Sequence, residues 1–280
     1  MVERQWRDLL ATVNDGDVLC VVLDVETTPA VNTLAETLTL AGVRCVLNHR
    51  NLGLARCRNL AIDQCDTDLL IFVDDDVAVP RATIAAIRTA FTTGAAIIGV
   101  RILGPEASFR LPWFVSAAQL HYLAIHTDRT LSTWGACMGL DVRPIRAHAL
   151  TFRDELGRRG NELASGDDTT FLREMRALNA PEVFLADHHV HHNVPAERLR
   201  VAYLIRRAYW QGRSEYRRRS AWQGVRKEWL RNRVGSRGQP LRVLLALTYI
   251  TCVVLGIVHE AGAHLFGALA QSLRSLRRRA

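Results

Sequence analysis

The chain has 280 residues, 49% of them hydrophobic and 23% charged, with a net charge of +8. That composition suits one large globular domain, or a domain with an appendage, and excludes a disordered or low-complexity chain. Basic residues crowd between Arg198 and Arg242 and again from Arg274 to Arg279, and Lys227 is the only lysine. Such cationic stretches suit anionic lipid, nucleic acid or a phosphorylated substrate.

Glu3 to Val13 places Trp6, Leu9, Leu10 and Val13 at helical spacing, and Asn14-Asp15-Gly16 stops the helix. These first residues mix acids and bases without an apolar core segment, so no signal peptide is expected. Val18 to Leu23 is a β-branched apolar run with Asp24 at its tip, a predicted buried strand. Pro29 suits a first helical turn after Thr27 and Thr28, and Gly42 suits the C-cap of that helix. Val43 to Leu47 predicts a strand, and Gly53 to Gln64 a helix whose apolar face carries Leu54, Cys57, Leu60 and Ala61.

The next stretch, LLIFVDDDVAVP from Leu69 to Pro80, organises the rest. Five apolar residues suit a strand buried on both faces, and it ends in Asp74, Asp75 and Asp76. Two carboxylates about 4 Å apart repel by roughly 4 kcal/mol at an effective dielectric near 20. A divalent metal serving a phosphate-bearing substrate relieves that repulsion; a solvated acidic turn is the alternative. Strand C-terminal ends are also where ligands bind in open α/β sheets. Arg81 to Phe91 then reads as a helix and Ala95 to Val100 as a strand. Strand and helix in alternation predict an α/β, Rossmann-like, mostly parallel sheet with helices on both faces.

After Arg101 the alternation weakens. Residues 104–112 read as loop, and 113–125 as a helix or a mobile segment. Trp134 to Leu140 is rich in small residues around Gly135, Ala136 and Gly139, which predicts backbone lying close to something. Asp167 to Leu178 reads as a helix with Asp167 and Asp168 in its first turn, where acids also belong on dipole grounds alone. Val183 to Ala186 reads as a strand, followed by a histidine run in which His189 and His191 share one face and His188 and His192 the other. The six cysteines form no CxxC pair, which predicts small buried thiols in a reducing compartment.

On Asp24, NLGLARCRNLAI (Asn51 to Ile62), FVDDDVAVP, WGACMGL (Trp134 to Leu140), SGDDTTFLREM (Ser165 to Met175) and the histidine- and arginine-rich stretch from Val190 to Gly212, the chain resembles family 2 glycosyltransferases of the GT-A fold over about residues 1 to 215. The resemblance implies a nucleotide-diphosphate-sugar donor, uridine-linked first, and transfer to an acceptor hydroxyl with inversion. It implies that Asp74 and Asp76 hold Mn²⁺ or Mg²⁺, with His192 as a further metal contact. Asp24, Arg58, Asp75 and Arg207 would bind the donor, and Asp168 would be the catalytic base. The family normally opens with a strand whose end borders the nucleotide. Here Val18–Leu23 matches its first or second strand, with the short distance to Asn51 favouring the second.

Two rivals stand beside this. A haloacid-dehalogenase-like phosphatase shares an apolar run followed by DxD but wants its nucleophile on the first strand and a lysine in the domain. A degenerate, non-catalytic GT-A-fold membrane adaptor would use the arginine-rich segment. Specific nucleic-acid recognition is not expected, because that segment lacks zinc-finger or helix-turn-helix spacing. Val243 to Val258 is apolar apart from Thr248 and Thr251. Sixteen helical residues reach roughly 24 Å, short of a ~30 Å hydrocarbon core. A helical hairpin or re-entrant anchor is therefore predicted, ahead of a single span or a buried interface helix, placing the protein at the inner face of the cell membrane against anionic lipid. The acceptor is then lipid-linked, an envelope glycan or a small molecule. The expected division is a catalytic domain at 1–195, an arginine-rich helical segment at 196–238 and apolar C-terminal helices at 239–280.

Overall fold

A computed structural model of the chain describes residues 2–105, 111–116, 119–126, 132–235 and 240–277. Parts of the predicted loop at 104–112 and of the segment at 113–125, and the side chains of the basic run at 274–279, lie outside the described residues. Two compact units form: one of Met1–Arg110, Leu123–Asn161 and Gly166–Pro195, the other of Leu111–Tyr122, Glu162–Ser165 and Ala196–Ala280.

In the first unit α1 (Val2–Leu10) leads to β1 (Cys20–Leu23), α2 (Pro29–Leu40) and β2 (Arg44–Leu47). Thr28 caps α2 by accepting the Val31 amide, Pro29 fixes the first turn, and Gly42 leaves the helix at a φ of 79°. β1 and β2 pair in parallel, Cys20 opposite Arg44 through Leu23 opposite Leu47. Then follow α3 (Leu54–Asp63), β3 (Leu69–Val73), β4 (Val77–Ala78), α4 (Arg81–Thr92), β5 (Ile97–Leu103), β6 (Cys137–Asp141), α5 (Val142–Ala147), α6 (Asp167–Ala177) and β7 (Glu182–His192). The five later strands form one sheet in the order β3-β6-β5-β7-β4.

The α/β class holds, but this sheet is mixed. Among the described residues β6 runs antiparallel to β3 and β5, β4 antiparallel to β7, and only β5 and β7 are parallel within it. A parallel neighbour needs a crossover connection, usually helical. Between β5 and β6 the described residues carry only a short 3₁₀ turn at Leu120–Leu123. β7 is longer than the predicted Val183–Ala186 strand and takes in the whole histidine run. Its register against β5 jumps from Leu185 opposite Val100 to His189 opposite Arg101.

Alternate residues of the sheet feed two apolar layers. Phe72, Ile97, Met138 and Leu140 pack with Phe152, Phe171 and Met175 on one side; Ile98, Val100 and Val190 pack with Ile87 and Ala90 of α4 on the other. Phe152 and Phe171 stack at 3.9 Å between centroids. Each such side chain, fully buried, contributes about 1.5–3 kcal/mol. Gly139 lets α4 approach β6: a Cβ there would lie 2.6 Å from Ile87 Cγ2.

The second unit is built on α7 (Val201–Arg217), α8 (Ala221–Gly235) and α9 (Pro240–Arg277). The predicted hairpin does not form, because α9 runs unbroken through His259 and Glu260. The acid is tolerated since Glu260 accepts from Arg213 Nε at 2.6 Å and Arg217 Nε at 2.9 Å on α7. The same face of α9 carries buried Ala246, Tyr249 and Val253. Gly212 and Gly256 bring the helices together until backbone meets backbone, so a Cβ at either would collide with the Val253 or the Tyr209 carbonyl oxygen. The opposite face exposes Leu244, Leu247, Val254, Leu255, Val258, Leu265 and Phe266. Those positions are separated by one, three or seven residues, spacings that keep them on one helix side.

The glycine contact gives a direct test. Gly256→Ala is expected to push α9 off α7 and to destabilise the protein by about 1–3 kcal/mol in urea unfolding. Gly262→Ala, on the same helix with nothing within 4 Å of the new Cβ, is expected to be neutral or slightly stabilising.

Candidate active site

The site is assembled around Arg58, one turn into α3. Its side chain is 5% exposed. Nη1 donates to Asp167 Oδ2 at 2.7 Å, and Nη2 donates to Asp74 Oδ1 and to the Gly135 carbonyl, both at 3.0 Å. One side chain thus ties the tip of β3, the turn before β6 and the first turn of α6. Gly135 is small for this reason, since a Cβ there would lie 2.5 Å from Arg58 Nη2. The small-residue stretch predicted to lie against something lies against this guanidinium.

Burial works against the charge on Arg58, but Asp167, Asp74 and Asp168 outweigh it and hold the guanidinium firmly protonated. Burial also raises the Asp74 carboxyl, which Arg58 draws down and Asp76 and Asp75 push further up. Asp167 is the most perturbed of the acids here. Burial lifts it to about 6, against the pull of Arg58 and with the push of Asp168. Sequence reasoning named Asp167 only as a helix-start acid; the signal available was its place beside Asp168 at the head of α6.

Asp76 meets His192 through strand pairing. β4 lies antiparallel to β7 with Val77 opposite His192, which sets the preceding Asp76 beside the imidazole. His192 Nε2 lies 3.1 Å from Asp76 Oδ2, and Nδ1 lies 2.7 Å from the Leu123 carbonyl oxygen. A carbonyl only accepts, so the Nδ1–H of the ring donates to Leu123 and Nε2 is the ring atom turned towards Asp76. Carboxylate oxygen suits either Mn²⁺ or Mg²⁺, and the added imidazole nitrogen suits the less oxygen-bound Mn²⁺ better than Mg²⁺, so these residues fit a divalent cation. Among the described residues no group of three or more His, Cys, Asp or Glu side chains forms a metal cage. A cation here would need further oxygens from a substrate and water.

The other predicted residues have distinct places. Asp168 Oδ2 accepts the Gly135 amide at 2.8 Å and Oδ1 the Thr169 amide at 2.6 Å, with the side chain part-exposed. Asp24 caps the approach to α3: Oδ1 accepts from Asn48 Nδ2 at 2.9 Å and the Leu52 amide at 2.7 Å, and Oδ2 accepts the Gly53 amide at 2.8 Å. Burial would raise its carboxyl, but these hydrogen bonds win and hold it below the usual range. Asp75 is exposed and lines a cavity between β1 and β3, apart from the Arg58 cluster. Arg207 belongs to the second unit, where it donates to Gln211 Oε1 at 3.2 Å and lies over the Tyr122 ring at 5.7 Å. Arg158, which sequence reasoning missed, places a further positive charge near Asp74.

Comparison with known proteins bears on this geometry. The family model described as glycosyl transferase family 2 matches residues 2–145. The succinoglycan biosynthesis protein ExoM of Rhizobium meliloti (strain 1021) is 29% identical over 210 residues, which is 70% of this chain and 63% of that protein. The chain thus spans about 63% of that curated relative's length. Among solved structures, the mannosyltransferase PcManGT from Pyrobaculum calidifontis, in complex with GDP-Man and Mn²⁺, aligns with a TM-score of 0.52 at 16% identity, covering 97% of this chain and 76% of that one. S. aureus TarS 1–349 in complex with UDP-GlcNAc aligns with a TM-score of 0.50 at 14% identity, covering 91% and 77%.

Asp167 sets a pH dependence. Its folded-state carboxyl, lifted to about 6, keeps its proton where the unfolded chain has lost it. Its contribution to stability is therefore complete below about pH 4 and is lost as pH rises through 6, a change of up to about 3 kcal/mol. Urea unfolding across that range is expected to show Asp167→Asn lacking this slope, the difference from the parent protein growing with pH.

Proposed function

Because the chain belongs to glycosyltransferase family 2, we propose that it transfers a sugar from a nucleotide-diphosphate sugar to an acceptor hydroxyl, with inversion at the anomeric carbon. The observation that carries this is the convergence on Arg58 of Asp74 and Asp167, with Asp76 and His192 facing one another at 3.1 Å. The nucleotide-sugar complexes of PcManGT and TarS support a donor of that class.

Asp76 and His192, with Asp74 beside them, would hold Mn²⁺ or Mg²⁺. Bound there, the ion neutralises charge on the departing diphosphate. Arg58 fixes the Asp74 carboxylate and, through Asp167, the first turn of α6. That turn presents Asp168, which takes the proton of the acceptor hydroxyl as its oxygen bonds to the anomeric carbon and the bond to the diphosphate breaks. The Gly135 amide holds one Asp168 oxygen at 2.8 Å and so orients the base. Asp24 would reach a nucleotide only at the cost of the amides it now holds.

We further place the protein at the inner face of a membrane, with α9 lying along the lipid surface. Leu241–Ala268 is long and apolar enough to span a membrane. The Arg213–Glu260–Arg217 contacts argue instead for a helix held lengthwise on α7, with its outer apolar face on lipid. Exposed Trp222, Trp229 and Arg226 on α8 suit the headgroup region. A membrane location favours a lipid-linked or envelope acceptor.

A thermal-shift panel of UDP- and GDP-sugars, with and without Mn²⁺, tests the donor site. A ligand at a hundred times its Kd stabilises by about 2.7 kcal/mol, a rise of several degrees for a chain of this size. Stabilisation by a nucleotide sugar is expected only with metal and is expected to vanish in Asp76→Ala. Asp168→Asn is expected to keep the shift while transfer falls about 10²–10⁴-fold. A shift indifferent to metal and to Asp76 would overturn the assignment.

Vesicle flotation tests the surface. Binding to phosphatidylglycerol vesicles is expected to exceed binding to neutral ones. Leu244→Glu combined with Val258→Glu is expected to weaken it at least about tenfold, since each buried aliphatic side chain contributes about 1.5–3 kcal/mol. Unchanged binding in that double variant would remove α9 from the lipid contact.

A further inference from the structure

Arg58 is turned inward. Its side chain is buried, and its fork is taken by Asp167, Asp74 and the Gly135 carbonyl. A second guanidinium stands nearby on different terms. Arg158 places positive charge near Asp74. Among the described residues its half-buried side chain has neither a hydrogen-bond nor an ion-pair partner.

The backbone that carries Arg158 is held firmly. Residues 152–160, between α5 and α6, lie as a band along α3. Asn59 Nδ2 donates to the Phe152 carbonyl at 2.9 Å, and Asn59 Oδ1 accepts the Phe152 amide at 2.8 Å. Arg56 Nε donates to Asp154 Oδ2 at 2.5 Å. The Leu54 amide donates to the Arg158 carbonyl at 2.9 Å, and the Gly160 amide to Asn51 Oδ1 at 3.1 Å. Two glycines let the band sit this close. A Cβ on Gly157 would lie 2.7 Å from the Ala55 nitrogen, and one on Gly53 would lie 3.1 Å from the Arg158 carbonyl oxygen. Arg158 is thus pinned at the head of α3, one turn before the residue that binds Asp74.

The neighbouring arginines are satisfied within the protein. Arg56 meets Asp154, and Arg153 of the band lies 3.8 Å from Glu155. Arg158 alone among these three has no carboxylate of its own within ion-pair distance. A half-buried guanidinium is incompletely hydrated, and its planar fork matches the oxygens of a phosphate. We propose that Arg158 hydrogen-bonds the diphosphate of the donor, held in place for this by the band on α3. As the acceptor oxygen bonds to the anomeric carbon and its proton passes to Asp168, the bond from that carbon to the diphosphate breaks. The electron pair stays on the phosphate oxygen, and Arg158 stabilises the charge that develops there. This assignment rests on the function proposed above.

Isothermal titration of the full chain with UDP and with GDP, each with Mn²⁺, tests it. Arg158→Gln is expected to bind the nucleoside diphosphate at least about tenfold more weakly than the parent, the usual scale for losing a hydrogen bond to a charged group. Arg158→Lys, which keeps the charge without the fork, is expected to lie between the two. Arg153→Gln removes the same charge from the same band and is expected to bind within about twofold of the parent, as surface charges contribute little. Equal affinity in Arg158→Gln and the parent would overturn the proposal, as would an equal loss in Arg153→Gln. So would a loss that appears only together with a lower urea midpoint of the ligand-free variant, which would make Arg158 structural. If the parent binds neither diphosphate, the proposed function falls and takes this assignment with it. If the parent binds and Arg158→Gln binds as well, only this assignment falls.

Discussion

The first unit depends on a buried cation that three chain segments need at once. Arg58 is enclosed where β3, the turn before β6 and the head of α6 meet, with Asp74, the Gly135 carbonyl and Asp167 as its partners. Burying such charges is costly, and the arrangement survives because the guanidinium's planar fork satisfies several acceptors in fixed directions. Removing one member of a buried ion pair typically costs 3–5 kcal/mol, because the remaining charge is stranded. A lysine would keep the charge but lose the fork. The same contacts that hold the segments together also set where the acidic groups of the site stand.

Asp74, Asp75 and Asp76 are adjacent in sequence and live in three environments. Asp74 is bound to Arg58, Asp76 faces His192, and Asp75 is exposed beside the gap between β1 and β3. The mutual repulsion that makes such a run conspicuous is relieved differently at each position.

Much of this was legible beforehand. The apolar run ending in acids, the glycine-led start of α3 and the small residues near Gly135 each imposed a local requirement that the fold meets. The alternation of the histidine run was also visible, and His189 and His191 do lie together, at 5.0 Å between ring centroids. What could not be read was long-range. Nothing local to Asp24 announces that its carboxylate would be taken by amides at Leu52 and Gly53. Nothing local to Asp167 announces a partner 109 residues away. The antiparallel entry of β6 was not legible because no apolar periodicity between Gly104 and Ala136 constrains a prediction. Glu260 looked like a break in an apolar helix because Arg213 and Arg217 lie on a different helix.

The glycine crossing of α7 and α9 bears on how this sequence can drift. Where Gly212 and Gly256 sit, backbone rests on backbone, and the tolerated vocabulary shrinks to a single letter. On the outer ridge of the same helix, Leu, Val and Phe are interchangeable so long as polarity is avoided. Aligned relatives would then differ freely in identity along one side of α9 and barely at all along the other, leaving a striped record of two unlike selective pressures within one helix.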